Sequence, residues 1–291
     1  MKKVILCPNP YRDRGFEATR RSSQMLQECG MEVAVCLPFH VDTIVGGEGL
    51  EFKNLQQEIR TADLLIAYGG DGTILHLAKT GATNHVPILG VNMGSLGFIS
   101  ELEIGELDRL KELADWNFKI ENRMMLDISV RRGDREIYSN IALNEAVVTK
   151  GAISNVVHLR VLSDGAKLTE MRGDGVIIST PTGSTGYSLS AGGPVLEPTV
   201  RNLVINPICA HVGQTNCYVL SPRHEITVLP VKCGRKSVYL SVDGGRAFSL
   251  RDGDEVRITS SRLDTKLVRL SEKSFCEIFE KKMLGGVLGE K

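Results

Sequence analysis

A glycine-rich segment, Gly69-Gly70-Asp71-Gly72-Thr73, lies between an apolar run and a series of apolar residues at helical spacing. Glycines let the backbone approach a ligand closely, and the free amides at the start of a helix favour an anion. We therefore predict a phosphate-binding turn, with a phosphate loop formed by Gly69, Gly70, Gly72 and Thr73. The segment has no G-K-[ST] sequence, so it differs from a Walker A loop.

The carboxylate of Asp71 lies inside this turn, where it would repel a phosphate. One interpretation is catalytic: Asp71 orients an acceptor hydroxyl and accepts its proton, or helps to hold Mg²⁺ between phosphates. The alternative is structural, with Asp71 capping the following helix or stabilising an Asx turn. His76, one turn into that helix, is interpreted as a helix-face residue rather than as a phosphate ligand.

A second segment rich in small polar residues extends from Thr180 to Pro194, directly after the β-branched run of residues 176–178. We do not expect so many small polar residues to form a packed core. They are suited to presenting hydroxyls and amides to a polar ligand, with Tyr187 as a stacking surface. The alternative is a flexible surface loop.

Two polar residues, Asn144 and Glu145, interrupt an apolar segment that we predict as one strand over residues 141–148. A buried amide and a buried carboxylate are costly without partners, and ribose hydroxyls would be suitable partners. The pair is equally compatible with a solvated strand edge or with a structural hydrogen-bonded pair.

The elements that position these residues fall into two classes. Residues 3–97 alternate short apolar runs with helical stretches, which predicts an α/β domain with a Rossmann-like parallel sheet, and both glycine loops at its strand ends would line one crevice. From about residue 126 short alternating strands predict a β-rich C-terminal domain, and Ser274–Met283 predicts a C-terminal helix packing back on the first domain. The expected boundaries are 1–122, 123–270 and 271–291.

Composition and charge argue against several classes of partner. The 291 residues include 35 Lys plus Arg and 35 Asp plus Glu, and no basic stretch is long enough to follow a phosphate backbone, so nucleic acid is not expected as a partner. A signal peptide and an apolar run of roughly 18 residues are both missing, which predicts a soluble cytoplasmic protein with no membrane partner. The seven cysteines, scattered without a C-x-x-C pair, are expected to be reduced thiols.

Together these segments resemble the NAD kinase family, in its bacterial ATP- or polyphosphate-dependent type. The resemblance rests on the glycine turn, the loop Asn92–Phe98, Asn144-Glu145, and the run from Asp174 to Pro194, in matching order and spacing. It implies phosphorylation of the 2′-hydroxyl of the adenosine ribose of NAD to give NADP, with ATP as co-substrate. The glycine turn alone is shared with lipid kinases and phosphofructokinases.

The resemblance also implies roles for individual residues. Asp71 would contact the ribose hydroxyl and serve as base or orienting group, and Asn144 and Glu145 would hold the same ribose. Asp174, from the same or a neighbouring subunit, would bind the nicotinamide end. The full set implied for NAD is Gly70, Asp71, Gly72, Phe98, Asn144, Glu145, Asp174, Thr182, Thr185, Gly186, Tyr187 and Ser190. Thr185, Gly186 and Tyr187 would contact the adenine, with Phe98 beside the diphosphate or adenine.

One departure is Gly186, where the family more often carries alanine, which puts the affinity for NAD in doubt more than the reaction. Because the turn has no lysine, Mg²⁺ or another divalent metal is implied to neutralise the phosphates. Dimers or tetramers are implied as well. Two alternatives stay open: a lipid kinase of the diacylglycerol kinase type, which would need an apolar entrance, and a non-catalytic nucleotide-sensing module.

Overall fold

The computed structural model describes residues 1–42, 45–94, 97–151, 156–211, 216–231, 238–272 and 274–284. Ser95 and Leu96 of the predicted loop Asn92–Phe98, and Cys233, lie outside these residues. The chain forms two compact units, one of residues 1–122 and 265–291 and one of residues 123–264. Below they are called the first unit and the second unit.

The first unit contains a parallel sheet, as predicted. Its strands are β1 (Lys3–Pro8), β2 (Glu32–Cys36), β3 (Phe52–Lys53), β4 (Leu64–Gly69), β5 (Ile88–Asn92) and β6 (Leu102–Glu103). Their order is β5-β4-β1-β2-β3, with Val4 of β1 opposite Leu64 and Val33. The chain therefore reverses its direction of travel across the sheet between β1 and β4, which in parallel sheets is where ligands bind.

Helices cover both faces of this sheet. They are α1 (Glu17–Glu28), α2 (Leu55–Glu58) and α3 (Asp71–Thr83), with 3₁₀ helices at Arg14–Phe16, Ile59–Thr61 and Ile104–Asp115. Gly30 follows α1 in the left-handed conformation that is common at the C-terminal ends of helices, and its N–H donates to Gln27 O (2.9 Å). The last of these 3₁₀ helices has 12 residues, and its buried residues are Leu107, Leu110 and Leu113.

The buried residues of the strands alternate between these two layers. One core packs α1 and the 3₁₀ helix of residues 104–115 against one face; its members include Val4, Leu6, Leu26, Leu64, Ile66, Leu89, Val91, Leu107, Leu110 and Leu113. On the other face Ile88 and Gly90 lie against Gly81 and Ile74 of α3. A side chain at Gly90 would overlap with Ile74, so this glycine permits the close approach of helix and strand.

The second unit is built of antiparallel strands and confirms the predicted β-rich region. Its strands are β7 (Lys119–Arg132, whose first residues belong to the first unit), β8 (Arg135–Ala142), β9 (Glu145–Lys150), β10 (Val157–Ser163), β11 (Ala166–Gly173), β12 (Gly175–Ser179), β13 (Leu203–Ile208), β14 (Tyr218–Leu220), β15 (Ile226–Pro230), β16 (Val238–Val242), β17 (Phe248–Leu250) and β18 (Asp254–Arg269, whose last residues belong to the first unit). One sheet has the order β14-β13-β12-β9-β16-β17, and β11-β10-β15-β18 form another.

Alternating side chains of both sheets form one buried core in the second unit, including Ile128, Val148, Leu159, Ile178, Leu203, Val228, Leu240 and Ile258. A 3₁₀ helix (Thr182–Thr185) and the short helix α4 (Tyr187–Ser190) follow β12. The single strand predicted over residues 141–148 is wrong. β8 ends at Ala142 and β9 begins at Glu145, because the backbone bends at Leu143 and Asn144.

The last helix, α5 (Phe275–Leu284), belongs to the first unit and confirms the predicted C-terminal helix that packs on it. The Phe279 ring lies 6.0 Å from the Phe98 ring, and Lys281 Nζ pairs with Glu103 (3.1 Å). Among the residues described, no helix is both long and apolar enough to cross a bilayer. Cys7 and Cys36 are buried in β1 and β2, and the described cysteines form no disulfide.

Candidate functional sites in the two units

The glycine turn joins β4 to α3 in the first unit. Gly69 is the last residue of β4, Gly70 precedes the helix, and Asp71 is its first residue. Thr73 is buried and accepts a hydrogen bond from Asn9 Nδ2 (3.2 Å), which ties the turn to the end of β1. We call Gly69–Thr73 together with Phe98 the glycine-turn cluster.

Asp71 does not cap its helix. Its Oδ2 accepts from the backbone N–H of Phe98 (2.8 Å) and its Oδ1 from that of Ile99 (3.3 Å), whereas no side chain caps α3. The helix-capping alternative for Asp71 is therefore wrong. A carboxylate oxygen has more than one lone pair, so both oxygens can still accept a further hydrogen bond.

A cation from the C-terminal helix lies beside this carboxylate. Lys282 Nζ is 3.9 Å from Asp71 Oδ2 and 3.9 Å from the centroid of the Phe98 ring. Phe98 therefore contributes a backbone donor to Asp71 and an aromatic face to Lys282. The sequence placed Lys282 on a helix face but did not indicate its approach to Asp71.

A cavity of about 310 Å³ opens beside the turn, at the carboxyl ends of β1, β4 and β5. Its lining residues are Asn9, Arg12, Phe39, Gly70, Gly72, Thr73, His76, Asn92, Met93 and Gly94. Both predicted glycine loops contribute to it, as expected for one crevice. The lining contains Arg12 and His76 but no aspartate or glutamate, since the Asp71 carboxylate is turned towards Phe98 and Ile99.

The bend between β8 and β9 in the second unit is held by one carboxylate. Asp243 accepts hydrogen bonds from the backbone N–H groups of Leu143 (2.7 Å), Asn144 (2.9 Å) and Glu145 (2.9 Å). Its own N–H donates to Glu145 O (3.0 Å), and its φ of 47° is left-handed. Asp243 thereby fixes the backbone from which Asn144 and Glu145 project. We call Asn144, Glu145 and Asp243 the Asn144–Glu145 cluster.

Two side-chain oxygens of this cluster are buried without a hydrogen-bond partner among the described residues, Asn144 Oδ1 and Glu145 Oε2. Glu145 is 8% exposed, and burial, followed by the nearby charge of Asp243, raises the pKa of its carboxyl to about 8. Burial also raises the pKa of Asp243, against the lowering effect of its three backbone donors. At neutral pH Glu145 is therefore mainly protonated and can donate as well as accept.

The hydroxyl-rich segment is folded, so the flexible-loop alternative is wrong. The expectation that its small polar residues form no packed core is also wrong: Thr180, Thr182, Ser184 and Ser188 are buried. Their hydroxyls are satisfied mainly by the backbone, as when Thr180 Oγ1 donates to Leu143 O (2.6 Å) and accepts from Gly183 N–H (3.1 Å). Small hydroxyl residues pack when the backbone supplies such partners.

Two glycines of the hydroxyl-rich segment, Gly183 and Gly186, lie close to the Asn144–Glu145 cluster. A side chain at Gly183 would overlap with the backbone of Asn144, so glycine permits this close approach. A Cβ at Gly186 would lie 3.3 Å from Glu145 Oε2 and 3.5 Å from Asn144 Nδ2. The missing methyl group at Gly186 therefore leaves the space next to both polar side chains open.

The other NAD-binding residues predicted in the hydroxyl-rich segment differ in their exposure and hydrogen bonds. Thr182 accepts from Arg123 Nη1 (3.2 Å), and Thr185 Oγ1 donates to Thr182 O (3.2 Å). Tyr187 is 46% exposed and Ser190 is exposed, so both are accessible to a ligand.

Asp174 is not brought to the Asn144–Glu145 cluster. It precedes β12, where Gly175 pairs with Thr149, whereas Ser179 at the other end of β12 pairs with Glu145. Five residues of strand separate the two positions by about 16 Å. Asp174 instead forms an ion pair with Lys150 (2.6 Å).

Sequence reasoning missed Asn9, Arg12 and Asp243 as site residues, and it named Asn92 only as the first residue of the second glycine loop. Asn9 and Arg12 follow β1 and Asn92 ends β5, and the carboxyl ends of parallel strands are a signal that could have indicated all three. Asp243 lies in the sequence Asp243-Gly244-Gly245, which indicates a hairpin turn and gives no signal of a site. Within the described part of the chain, no three His, Cys, Asp or Glu side chains are grouped to hold a metal ion.

Comparisons with known proteins agree with this geometry. Residues 4–115 match the family model of the ATP-NAD kinase N-terminal domain, and residues 143–270 match that of the ATP-NAD kinase C-terminal domain. An NAD kinase from Natranaerobius thermophilus is 37% identical, covering 98% of this chain and 99% of that protein. An NAD kinase from Moorella thermoacetica is 42% identical, covering 79% of this chain and 74% of that protein.

Solved structures are similar over nearly the whole chain. Yeast NADH kinase in complex with NADH superposes with a TM-score of 0.84 and 26% identity, over 100% of this chain and 89% of the other. An NAD kinase from Archaeoglobus fulgidus in complex with ATP gives a TM-score of 0.73 at 24% identity, over 97% and 98% of the two chains, and this likeness shows the fold. The predicted fold and reaction class are confirmed: the chain belongs to the NAD kinase family, the transferases that phosphorylate NAD.

Proposed function

We propose that the protein transfers the terminal phosphoryl group of ATP, another nucleotide or polyphosphate to the 2′-hydroxyl of the adenosine ribose of NAD, giving NADP. The observation that carries the proposal is the pair of buried side-chain oxygens without partners, Asn144 Oδ1 and Glu145 Oε2. Buried polar atoms are nearly always paired, and a bound polyol such as ribose would supply the missing partners. An apolar ligand would not.

Each member of the Asn144–Glu145 cluster has a part in this proposal. Asn144 Oδ1 accepts from a ribose hydroxyl, and the protonated Glu145 carboxyl donates to a hydroxyl oxygen or accepts from its proton. Asp243 holds both side chains in place through the backbone. Thr185, Gly186 and Tyr187 bind the adenine, and the exposed Tyr187 ring provides a stacking face.

Asp71 is the proposed catalytic residue. Its carboxylate orients the 2′-hydroxyl and accepts the proton as the O–P bond forms, while the donor's bond to its terminal phosphorus breaks and the leaving group is released. The backbone donors from Phe98 and Ile99 fix the position of the carboxylate, and Lys282 balances its charge. Phosphoryl transfer depends mainly on such positioning.

Asp174, Thr182, Ser190 and Phe98 complete the proposed NAD-binding set. Asp174 lies far from Glu145 along β12, which suits contact with the nicotinamide end of NAD bound by the same or a neighbouring subunit. Gly69, Gly70, Gly72 and Thr73 form the proposed phosphate loop.

A divalent metal, Mg²⁺ in the first instance, is proposed as cofactor. Mg²⁺ in kinase sites is held by one or two protein oxygens together with substrate phosphates and water, so a site without three grouped ligands fits it. The candidate protein ligand is Asn92 Oδ1, which lines the cavity and is buried without a described partner. The metal would neutralise charge on the donor phosphates.

The direct test is an assay of the purified protein with Mg²⁺, ATP and NAD, in which an NADP-specific dehydrogenase detects the product. Parallel reactions with polyphosphate as donor, NADH as acceptor, and EDTA in place of the metal define the substrates and the metal requirement. Metal-dependent NADP formation is the expected result. Binding of NAD without any product would support the sensing module, and absence of NAD binding would support the lipid kinase.

Self-association to a dimer or tetramer, and action in the cytoplasm, are proposed from the family. Light scattering of the purified protein with and without NAD would measure the assembly. A monomer under both conditions would contradict it.

A further inference from the structure

The loop that holds Asp71 lies beside the end of β18. This strand ends at Arg269, and its last residues pair in parallel with β5 of the first unit. Because neighbouring parallel strands have their carboxyl ends at the same edge of a sheet, Arg269 reaches the loop that follows β5. This loop carries Phe98 and Ile99, whose N–H groups donate to Asp71. We call residues 97–101 the Asp71 loop.

Arg269 holds the Asp71 loop by a backbone carbonyl. Its Nη1 donates to Ile99 O (3.1 Å) and to Glu101 Oε2 (3.3 Å), while its Nη2 and Nε donate to Glu121 Oε1 (2.9 and 3.3 Å). The side chains of Arg269 and Glu101 are only 12% and 5% exposed. Ile99 is therefore bound on both sides, since its N–H donates to Asp71 and its carbonyl oxygen accepts from Arg269.

Glu101 ties the same loop to the segment that follows β18. Its N–H donates to Gly90 O of β5 (2.9 Å). Its Oε1 accepts from the N–H groups of Leu270 (2.9 Å) and Ser271 (2.7 Å) and from the Ser271 hydroxyl (2.7 Å). Charge-assisted hydrogen bonds of this kind are short and strong, so the far end of the Asp71 loop is firmly anchored.

Gly97 shows how closely the Asp71 loop fits the carboxylate. A Cβ at this position would overlap with Asp71 Oδ1 and would lie 2.7 Å from Ser100 Oγ, although Gly97 does not have a left-handed φ. Glycine is therefore required here by the space that the carboxylate occupies, and the backbone conformation does not require it. A displacement of the loop would displace the carboxylate or break its hydrogen bonds.

We propose that Arg269 is a positioning residue for phosphoryl transfer: it fixes the Ile99 carbonyl and thereby the backbone donors that orient the Asp71 carboxylate. The inference rests on the proposed role of Asp71 as base. The described contacts of Arg269 are with the protein's own carboxylates and backbone, so its effect is on kcat and not on the binding of either substrate. Misplacing a catalytic group by about 1 Å can cost about 100-fold in rate.

The test compares Arg269→Lys with a matched control. Lysine keeps a positive charge between Glu101 and Glu121, which protects the fold, but it has no planar fork and cannot bind both carboxylates and Ile99 O together. We expect kcat to fall by about tenfold or more, while KM for NAD and for ATP stays within about twofold. Urea denaturation reports the stability of each variant.

Arg109→Lys is the control within the same unit. The Arg109 guanidinium also binds a carboxylate and a backbone carbonyl, Glu112 (2.8 Å) and Leu270 O (3.0 Å), and none of its described hydrogen bonds reaches residues 97–101. Its kcat should stay within about twofold of that of the unmodified protein.

A double variant separates positioning from general support of the fold. If Arg269 acts through the Asp71 carboxylate, Arg269→Lys should change kcat by less than about twofold in the Asp71→Asn protein, because the two effects are coupled. Gly97→Ala is a second route to the same question. Its methyl group would displace the carboxylate without changing β18, so it should also lower kcat with little change in KM.

The proposal would be overturned by equal losses of kcat in Arg269→Lys and Arg109→Lys, or by an equal loss with and without the Asp71 carboxylate. Either result would make Arg269 a purely structural residue. If Arg269→Lys does not fold, normal kcat in Gly97→Ala would overturn the proposal instead. Failure of the proposed function is recognised separately, because the unmodified protein would then form no NADP, or Asp71→Asn alone would keep normal turnover.

Discussion

The glycine-turn cluster and the Asn144–Glu145 cluster differ in their exposure to solvent and in the groups that they present to a ligand. The first is open: its glycines present backbone amides to a cavity, and its one carboxylate is a quarter exposed. The second is closed: Glu145 and Asp243 are buried, and three backbone donors fix the bend that carries them. The open cluster suits a strongly charged, hydrated phosphate chain, and the closed cluster suits a neutral polyol.

The two clusters also differ in how they control a carboxylate: one fixes its position, and the other raises its pKa. Backbone N–H groups fix the side chain of Asp71, whereas the Glu145 carboxyl accepts no such bond from the described residues, and its pKa rises to about 8 through burial and the charge of Asp243. In the proposed reaction Asp71 acts as the proton acceptor, and the protonated Glu145 acts as a donor at neutral pH. Substitutions that exchange or remove these properties test the distinction.

The largest effect is expected at Asp71. Asp71→Asn keeps the shape of the side chain but removes the proton acceptor, so turnover should fall by at least about 100-fold while NAD binding is largely retained. NADP formation and calorimetric titration of NAD measure the two quantities. Asp108→Asn, which removes an exposed aspartate of the same unit paired with Arg21, is the control. Turnover near that of the unmodified protein would exclude Asp71 as the base.

A smaller effect is expected at Asp243. Asparagine tolerates the left-handed conformation of this residue, so Asp243→Asn preserves the turn but replaces one accepting oxygen by a donor. We expect KM for NAD to rise about tenfold, the effect of a lost hydrogen bond to a charged group, with less change in kcat. Asp164→Asn is the control, because Asp164 also has a left-handed φ (50°) in a turn of the second unit. Equal effects of both variants would deny Asp243 a positioning role.

A methyl group added at Gly72 tests the open glycine-turn cluster. Gly72→Ala should leave stability equal or higher by roughly 0.5–1 kcal/mol, because alanine favours a helix. It should also lower kcat/KM for ATP roughly fivefold or more, since a methyl group in occupied space costs about 1–3 kcal/mol. Gly105→Ala is a matched control: Gly105 is also exposed, in the first turn of a 3₁₀ helix, and a Cβ there meets no atom within 4 Å. Unchanged activity in Gly72→Ala would argue against a ligand beside the turn.

The smallest effect is a pH dependence of stability. Because the pKa of Glu145 is raised from 4.5 to about 8 on folding, the folded state binds the extra proton between these values. The stability that Glu145 contributes is therefore complete below about pH 4.5, decreases as the pH rises and is lost above pH 8. Glu145→Gln, which cannot titrate, should gain more than about 1 kcal/mol relative to the unmodified protein from pH 5 to pH 8.

Urea denaturation of both proteins at several pH values measures this difference in the free energy of unfolding. Glu136→Gln, which removes an exposed carboxylate of β8, serves as control. Parallel pH profiles for Glu145→Gln and the unmodified protein would show that Glu145 is ionised at neutral pH in the folded state.

The sequence predicted the regular parts of the fold well. Apolar periodicity located β1, α1, β4, α3 and α5, because each of these elements buries one face or is buried throughout. The break between β8 and β9 was missed. Apolar residues on both sides of Asn144 continue the strand pattern, and the bend there depends on Asp243, about 100 residues further along the chain.

The sequence predicted only part of the site, because it contains local patterns but does not show contacts between distant segments. The glycine turn and Asn144-Glu145 are local patterns, so the sequence contains them. Arg12 and Asn92 lie at the carboxyl ends of β1 and β5, where the strand pattern could have indicated them, whereas Lys282 approaches the turn from α5, and no local pattern reports such a contact. Asp243 resembled any residue of a tight hairpin turn until the structure placed its carboxylate on three backbone amides.

The contacts of Glu101 bear on how much of the chain must be synthesised before the first unit can fold completely. Its carboxylate is nearly fully buried in the first unit, and its described partners are Arg269 (3.3 Å), the backbone N–H groups of Leu270 and Ser271, and the Ser271 hydroxyl. All of them lie about 170 residues later in the chain. A nascent chain that ends before Arg269 would therefore carry an uncompensated buried charge next to the loop that holds Asp71.

The first unit can thus reach its final form only after the whole second unit has left the ribosome. Arg269 also donates to Ile99 O (3.1 Å), one residue from Phe98, whose N–H binds Asp71. One of the last segments to be translated therefore contacts the loop that donates to Asp71, the proposed catalytic residue. A chain that ends before Arg269 would lack this contact with the loop that donates to Asp71.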